Sequence, residues 1–183
     1  KLPQAEMVLD KGYELLYLTD DIDEFALKML REWDGKPFQS VSAGDLDLET
    51  PEEKEEAKKQ AEEHKSLFDA MKEALGDKVD AVRLSKRLKS HPVCLASEGE
   101  VSLEMEKVLN AMPADNKVKA RRVLEINENH PIFATLSGLL DTDPDKLRDY
   151  SELLYDQALL IEGMAIEDPV AFSTRLCALM SGQ

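Results

Sequence analysis

The chain has 183 residues, enough for one ordinary domain, or one domain and part of another, with a real apolar core. Its 23 Lys and Arg against 38 Asp and Glu leave a formal charge of -15, which repels phosphates and anionic headgroups, so nucleic acid and membrane are not expected as partners. Cys94 and Cys177 stand far apart, outside any Cys-x-x-Cys spacing, which argues against a disulfide framework or zinc knuckle and for a reducing cytoplasm.

No run of about 18 apolar residues offers a membrane span, and nothing near Lys1 reads as a signal peptide. The chain opens on Lys1-Leu2-Pro3 without a methionine, as a segment cut from a longer protein would. Pro3 to Asp10 reads as the last turns of a helix capped by Gly12, and Tyr13 to Leu18 as a buried strand. Ile22, Phe25, Ala26, Met29, Leu30 and Trp33 then recur at helical spacing, and Gly35 stops that helix. One αβα unit cannot cover both faces of its strand, so this part is expected to belong to a larger α/β domain.

Asp45 onward is acidic and reads as a linker. Thr50-Pro51-Glu52-Glu53 is a strong helix start, with Thr50 as cap, Pro51 at the first helical position and Glu53 closing a capping box. That helix should run to about Leu75, with an apolar stripe only in its second half: Leu67, Phe68, Met71, Ala74 and Leu75. Val79 to Leu84, Val93 to Ser97 and Arg121 to Ile126 are three short strands of a small, mostly antiparallel sheet. A short helix, Val101 to Met112, lies between the second and third and ends at Pro113. Asn129-His130-Pro131 starts a helix through Leu140; Asp143-Pro144 and Asp168-Pro169 start the last two, each with Asp as cap and Pro first.

The penultimate helix carries Leu147, Tyr150, Leu153, Leu154, Ala158, Leu160, Ile161 and Met164 around a face wider than one core-facing stripe needs. The last helix adds Val170, Phe172, Leu176, Leu179 and Met180, with Gly163 at the turn between them. A two-fold copy of this hairpin would cover the surplus as a four-helix bundle; the alternative is docking on the chain's own sheet. Met105, Val108, Leu109 and Met112 share one side of the short helix, either packed on the sheet or offered as an adaptable sticky surface.

No histidine pair has metal-site spacing and no carboxylate pair stands out as a catalytic dyad. There is no Gly-x-Ser-x-Gly, no Gly-x-x-x-x-Gly-Lys and no Gly-x-Gly-x-x-Gly. The basic runs Arg83, Lys86, Arg87, Lys89 and Lys117, Lys119, Arg121, Arg122 lack interleaved aromatics and read as internal partners for acids. Two other functions remain open on these residues: a small α/β enzyme using the edge of the Tyr13 to Leu18 strand, or a monomeric adaptor.

Several stretches together resemble the C-terminal part of the heat-shock protein 90 chaperones, closest to the bacterial form. They are Lys11-Gly12-Tyr13-Glu14-Leu15-Leu16-Tyr17-Leu18-Thr19-Asp20 with Ile22-Asp23-Glu24, Asp34-Gly35-Lys36, and Leu75-Gly76-Asp77-Lys78-Val79. Further on come Val82-Arg83-Leu84-Ser85-Lys86-Arg87-Leu88, Leu124-Glu125-Ile126-Asn127 with His130-Pro131-Ile132, and Leu153-Leu154-Tyr155-Asp156-Gln157-Ala158-Leu159-Leu160 with Glu167-Asp168-Pro169. The resemblance implies a mixed α/β and α+β chain. Residues 1 to 45 would end the family's middle domain, as a partial αβα unit. Residues 46 to 183 would be its C-terminal dimerisation domain, whose last helix pair makes a four-helix bundle in the homodimer.

The pairing residues it implies are Leu147, Tyr150, Leu154, Ala158, Ile161, Met164, Phe172, Leu176, Leu179 and Met180. Contact with unfolded or partly folded client proteins would fall to Val101, Met105, Val108, Leu109 and Met112, with Phe25 beside them. The family's ATP site, with its magnesium, would lie upstream of Lys1, so no catalytic, cofactor or metal residue is expected in this chain.

Overall fold

The computed structural model describes residues 2–44, 50–113 and 117–182. The expected domain boundary falls on residues 45–49, outside the described residues. The architecture is mixed α/β, helices around small sheets. Helix α1 (Ala5–Asp10) ends as the sequence suggests: Gly12 takes φ +79, and the amides of Gly12 and Tyr13 return to the carbonyls of Leu9 and Val8.

Tyr13 to Leu18 is a correction. It forms no strand and, Leu15 apart, is exposed, Tyr17 at 72%. A strand needs a hydrogen-bonded neighbour, and among the described residues none runs beside it. The strand edge on which an enzyme reading depended is therefore absent from this structure. Helix α2 (Asp23–Leu30) stops earlier than expected, at Arg31 with φ 65, and buries no side chain. Trp33 lies instead in a minimal hairpin, β1 (Glu32–Trp33) against β2 (Lys36–Pro37), turned by Asp34 and Gly35.

Thr50 and Glu53 form the capping box that starts α3 (Pro51–Glu63), Thr50 Oγ1 accepting from the Glu53 amide at 3.2 Å and the Glu53 carboxylate from the Thr50 amide at 2.7 Å. The single helix expected to Leu75 is two. His64 leaves helical backbone (φ -96, ψ 9), and its ring sets edge-on to Phe133 at 4.9 Å as α4 (Lys65–Leu75) begins. The charge-laced α3 buries nothing, whereas α4 buries Leu67, Phe68, Met71 and Leu75.

After a 3-10 turn at Gly76–Lys78, strand β3 (Ala81–Leu84) precedes β4 (Val93–Glu98), helix α5 (Leu103–Ala111) and β5 (Arg121–Ile126). The last of these strands enters the middle of the sheet, giving the order β3-β5-β4, parallel to β3 and antiparallel to β4. Counting the hairpin, two of the three strand pairings are antiparallel.

Helices α6 (Pro131–Thr142), α7 (Pro144–Ile161) and α8 (Pro169–Met180) follow, each with proline in its first turn behind a side-chain cap. Asp143 accepts from the Lys146 amide, Asp168 from those of Val170 and Ala171, and His130 Nδ1 from that of Ile132. Between α7 and α8, Gly163 (φ 69) closes a Schellman turn, its amide bonding to Leu160 and that of Met164 to Leu159.

Alternation along β5 divides the sheet into two faces. Leu124 and Ile126, with Val82, Leu84, Val93 and Leu95, face the core and meet α4, α6 and α7. Glu125 points the other way into a polar cluster, where Arg87 grips its two oxygens at 2.9 and 3.0 Å and Arg83 reaches one at 2.9 Å. The same guanidinium groups hold the carbonyls of Val41 and Gly44 at 2.6 and 2.5 Å. They thereby fasten residues 41–44 against β4, where Gly44 and Ser97 also bond through their backbones. The first basic run thus serves internal acids.

Candidate interaction surfaces

Helix α7 turns much of its wide apolar face inward. Leu147, Leu154 and Ala158 are buried in the chain's own core, Leu154 at 6% exposure, together with Tyr155 and Leu159. These three expected pairing residues are already covered by the sheet and α4, so they offer no surface to a second copy. Tyr150 and Met164 pack partly buried at the margin of the same core, and Ile161 is half-buried.

Helix α8 is the opposite case. It buries no side chain at all, although Val170, Phe172, Leu176, Leu179 and Met180 are large and apolar. Phe172 and Leu179 are half-covered, while Val170, Leu176 and Met180, with Leu160 from the end of α7, stand exposed. Val170, Thr174 and Cys177 line an open groove along its outer side. An ion pair of 3.6 Å between Arg175 and Asp149 links α8 to α7.

Helix α5 begins on Ser102, whose hydroxyl accepts from the Met105 amide at 3.0 Å and donates to Glu24 of α2 at 2.7 Å. Also from α2, Lys28 Nζ reaches the Glu100 carbonyl at 2.5 Å and the Met105 sulfur at 2.8 Å. The helix that carries half-buried Phe25 is thus joined to the start of α5. Of α5 itself only Leu103 and Glu106 are buried. Val101 packs partly against the core, Met105, Val108 and Leu109 are half-buried, and Met112 is exposed.

The family model described as Hsp90 protein matches residues 1–183. The chain belongs to the heat-shock protein 90 family. Curated relatives named Chaperone protein HtpG agree with this: that of Clostridium perfringens (strain ATCC 13124) is 59% identical over 180 residues, covering 98% of this chain and 28% of the relative. Those of Bacillus subtilis (strain 168) and Shouchella clausii (strain KSM-K16) are 57% and 59% identical, each over 98% of this chain and 29% of the relative. The chain therefore spans less than a third of the length of the relatives it matches.

This heat-shock protein 90 chain holds two buried polar clusters, whose arginines the sequence reads as partners for acids and whose acids it does not single out. The first is the Arg83, Arg87 and Glu125 set. In the second, Arg122 of β5 donates to Glu106 of α5 at 2.5 Å and to the Tyr155 hydroxyl of α7 at 2.6 Å, and burial pushes the Tyr155 hydroxyl up against the pull of Arg122. The available signal was the interruption of an apolar strand by Arg122 and Glu125, since buried charges require partners.

Burial also raises the Asp156 carboxyl, against the attraction of Lys78, and the Cys94 thiol far above its usual range. Among the described residues no group of His, Cys, Asp and Glu is arranged to hold a metal ion, and no helix is long and apolar enough to cross a membrane.

Proposed function

We propose that this chain is the dimerisation and client-contact part of an ATP-dependent heat-shock protein 90 chaperone of the cytoplasm. Residues 1–45 close its middle domain and 46–183 form its C-terminal domain. The observation that carries the reading is α8, a twelve-residue helix with five large apolar side chains and not one buried. Two such hairpins related by a two-fold axis bury Leu160, Ile161, Val170, Phe172, Leu176, Leu179 and Met180 in a four-helix bundle, with Tyr150 and Met164 at its margin.

Phe25 and the Val101, Met105, Val108, Leu109 and Met112 side of α5 receive apolar segments of unfolded proteins, for which methionines adapt well. The exposed Tyr13, Leu16 and Tyr17, with an α2 that buries no side chain, are apolar surface that the rest of a larger domain would cover. ATP and magnesium belong to the longer parent. Light scattering tests the pairing: a mass of two chains at micromolar concentration is expected, and a single-chain mass throughout that range overturns it.

A further inference from the structure

Helix α5 has nine residues, too few to hold a helix in water alone, and only Leu103 and Glu106 fix it inward. Glu106 spends both oxygens, accepting from Arg122 at 2.5 Å and from the Ala120 amide at 2.8 Å. The other Arg122 amino group donates to the Tyr155 hydroxyl, in the middle of α7. All three side chains are buried. Other ties of α5 are less sheltered: the Ser102 hydroxyl to Glu24 at 2.7 Å, Lys28 to the Met105 sulfur at 2.8 Å, Lys107 to the Glu162 carbonyl at 3.0 Å, and Asn110 to the backbone of Val118 at 2.7 and 2.8 Å.

Because hydrogen bonds screened from water weigh more than those it can replace, the buried relay outweighs these ties in setting the pitch of the helix. Arg122 Nε is also buried without a hydrogen-bond partner. Loss of Glu106 therefore leaves the buried cation without its counter-ion, held by the Tyr155 hydroxyl.

We propose that Arg122 is a positioning residue for α5: by bridging Glu106 on α5 to Tyr155 on α7, it sets the one orientation in which Met105, Val108, Leu109 and Met112 are presented. The idea rests on the client-contact reading only for its purpose; the relay itself is a property of this chain. It couples the apolar side of α5 to α7, so a displacement of either helix is felt by the other through one guanidinium.

The test compares the full chain with Tyr155→Phe, which deletes a single hydroxyl, and with Glu106→Gln, which keeps the shape and removes the charge. Hydrogen exchange is followed separately over residues 103–111, 121–126 and 147–159. The relay predicts exchange in α5 about tenfold faster in Tyr155→Phe and faster still in Glu106→Gln, with β5 and α7 unchanged. The double variant should loosen α5 no more than Glu106→Gln alone, since both break one relay.

Unchanged α5 exchange in Tyr155→Phe overturns the proposal, and so does an equal loss of protection in all three segments. Should Glu106→Gln fail to fold, Tyr155→Phe still decides. Binding of a reduced, carboxymethylated unfolded protein, read by anisotropy, addresses the purpose separately. Several-fold altered affinity supports the coupling to clients, whereas unaltered affinity beside a loosened α5 leaves the relay standing and overturns the client-contact reading.

Discussion

Replacing Leu176 and Met180 together by Glu should separate the proposed dimer without unfolding either chain. In the single chain Met180 is 80% exposed and Leu176 41%. Neither supports the core, and such surface changes usually move folding stability by no more than about 0.5 kcal/mol. Burying a Leu or Met side chain completely is worth roughly 1.5 to 3 kcal/mol, so covering the exposed parts of these two yields roughly 2 to 4 kcal/mol per chain. The two-fold axis counts each twice, which brings the loss to roughly 4 to 7 kcal/mol per dimer before any cost of burying the new carboxylates. At about 1.4 kcal/mol per tenfold, the dissociation constant should rise at least about a thousandfold.

Sedimentation velocity over a concentration series, with circular dichroism to confirm folding, is the assay. Leu154→Ala is the control: in the core it should cost about 2 to 5 kcal/mol of folding stability, showing as a lowered melting temperature. A dissociation constant unchanged in Leu176→Glu/Met180→Glu would refute the assignment of α8 to the interface.

At Gly44 an added methyl would meet the Ser97 carbonyl at 3.2 Å and the Glu98 Cγ at 2.9 Å. Gly44→Ala should therefore cost about 1 to 3 kcal/mol and speed amide exchange at Gly44 and Ser97, whose backbones bond there. The Asp156 carboxyl titrates above its unfolded value because it is buried, so its contribution to stability is present at low pH and lost as pH rises. Asp156→Asn should then be more stable than the parent at neutral pH, with the difference closing towards pH 3 in urea melts. Cys177 is exposed and Cys94 buried, so a thiol reagent should label one cysteine of the native chain quickly and the second only on unfolding. Labelling of Cys177, on the outer side of α8, should slow as the chain is concentrated into dimers.

What a short stretch decides by itself was legible. The Thr50 and Glu53 capping box, the Asp143 and Asp168 caps and the left-handed turns at Gly12 and Gly163 lie where their residues imply, because each is made by bonds within a few positions. The three strands of the larger sheet were readable for the same reason. What depends on a distant cover was not. Tyr13 to Leu18 has the composition of a buried strand and no strand beside it, and α2 has a stripe of which no residue is buried.

Leu154 and Leu176 look alike in a helical pattern, yet one is sealed under the sheet and the other faces outward, a distinction set by how α7 and α8 sit on the rest of the chain. The His64 break likewise depends on Phe133, far along the sequence. The acids of the two polar clusters hid in the same way, since Glu106 and Glu125 gain their meaning from Arg122 on β5, Arg83 on β3 and Arg87 in the turn that follows β3.

The position of β5 between β3 and β4 makes it the strand on which both edges of the sheet depend. No hairpin joins β3 to β4 directly, so within the described sheet each edge strand is held by β5 and not by the other. Strand β5 brings Arg122 and Glu125 with it, one for each face. Its pairing with β3 is a contact across many residues, the slow kind to form, and it aligns Glu125 with Arg83 and Arg87 on one face and Arg122 with Glu106 on the other.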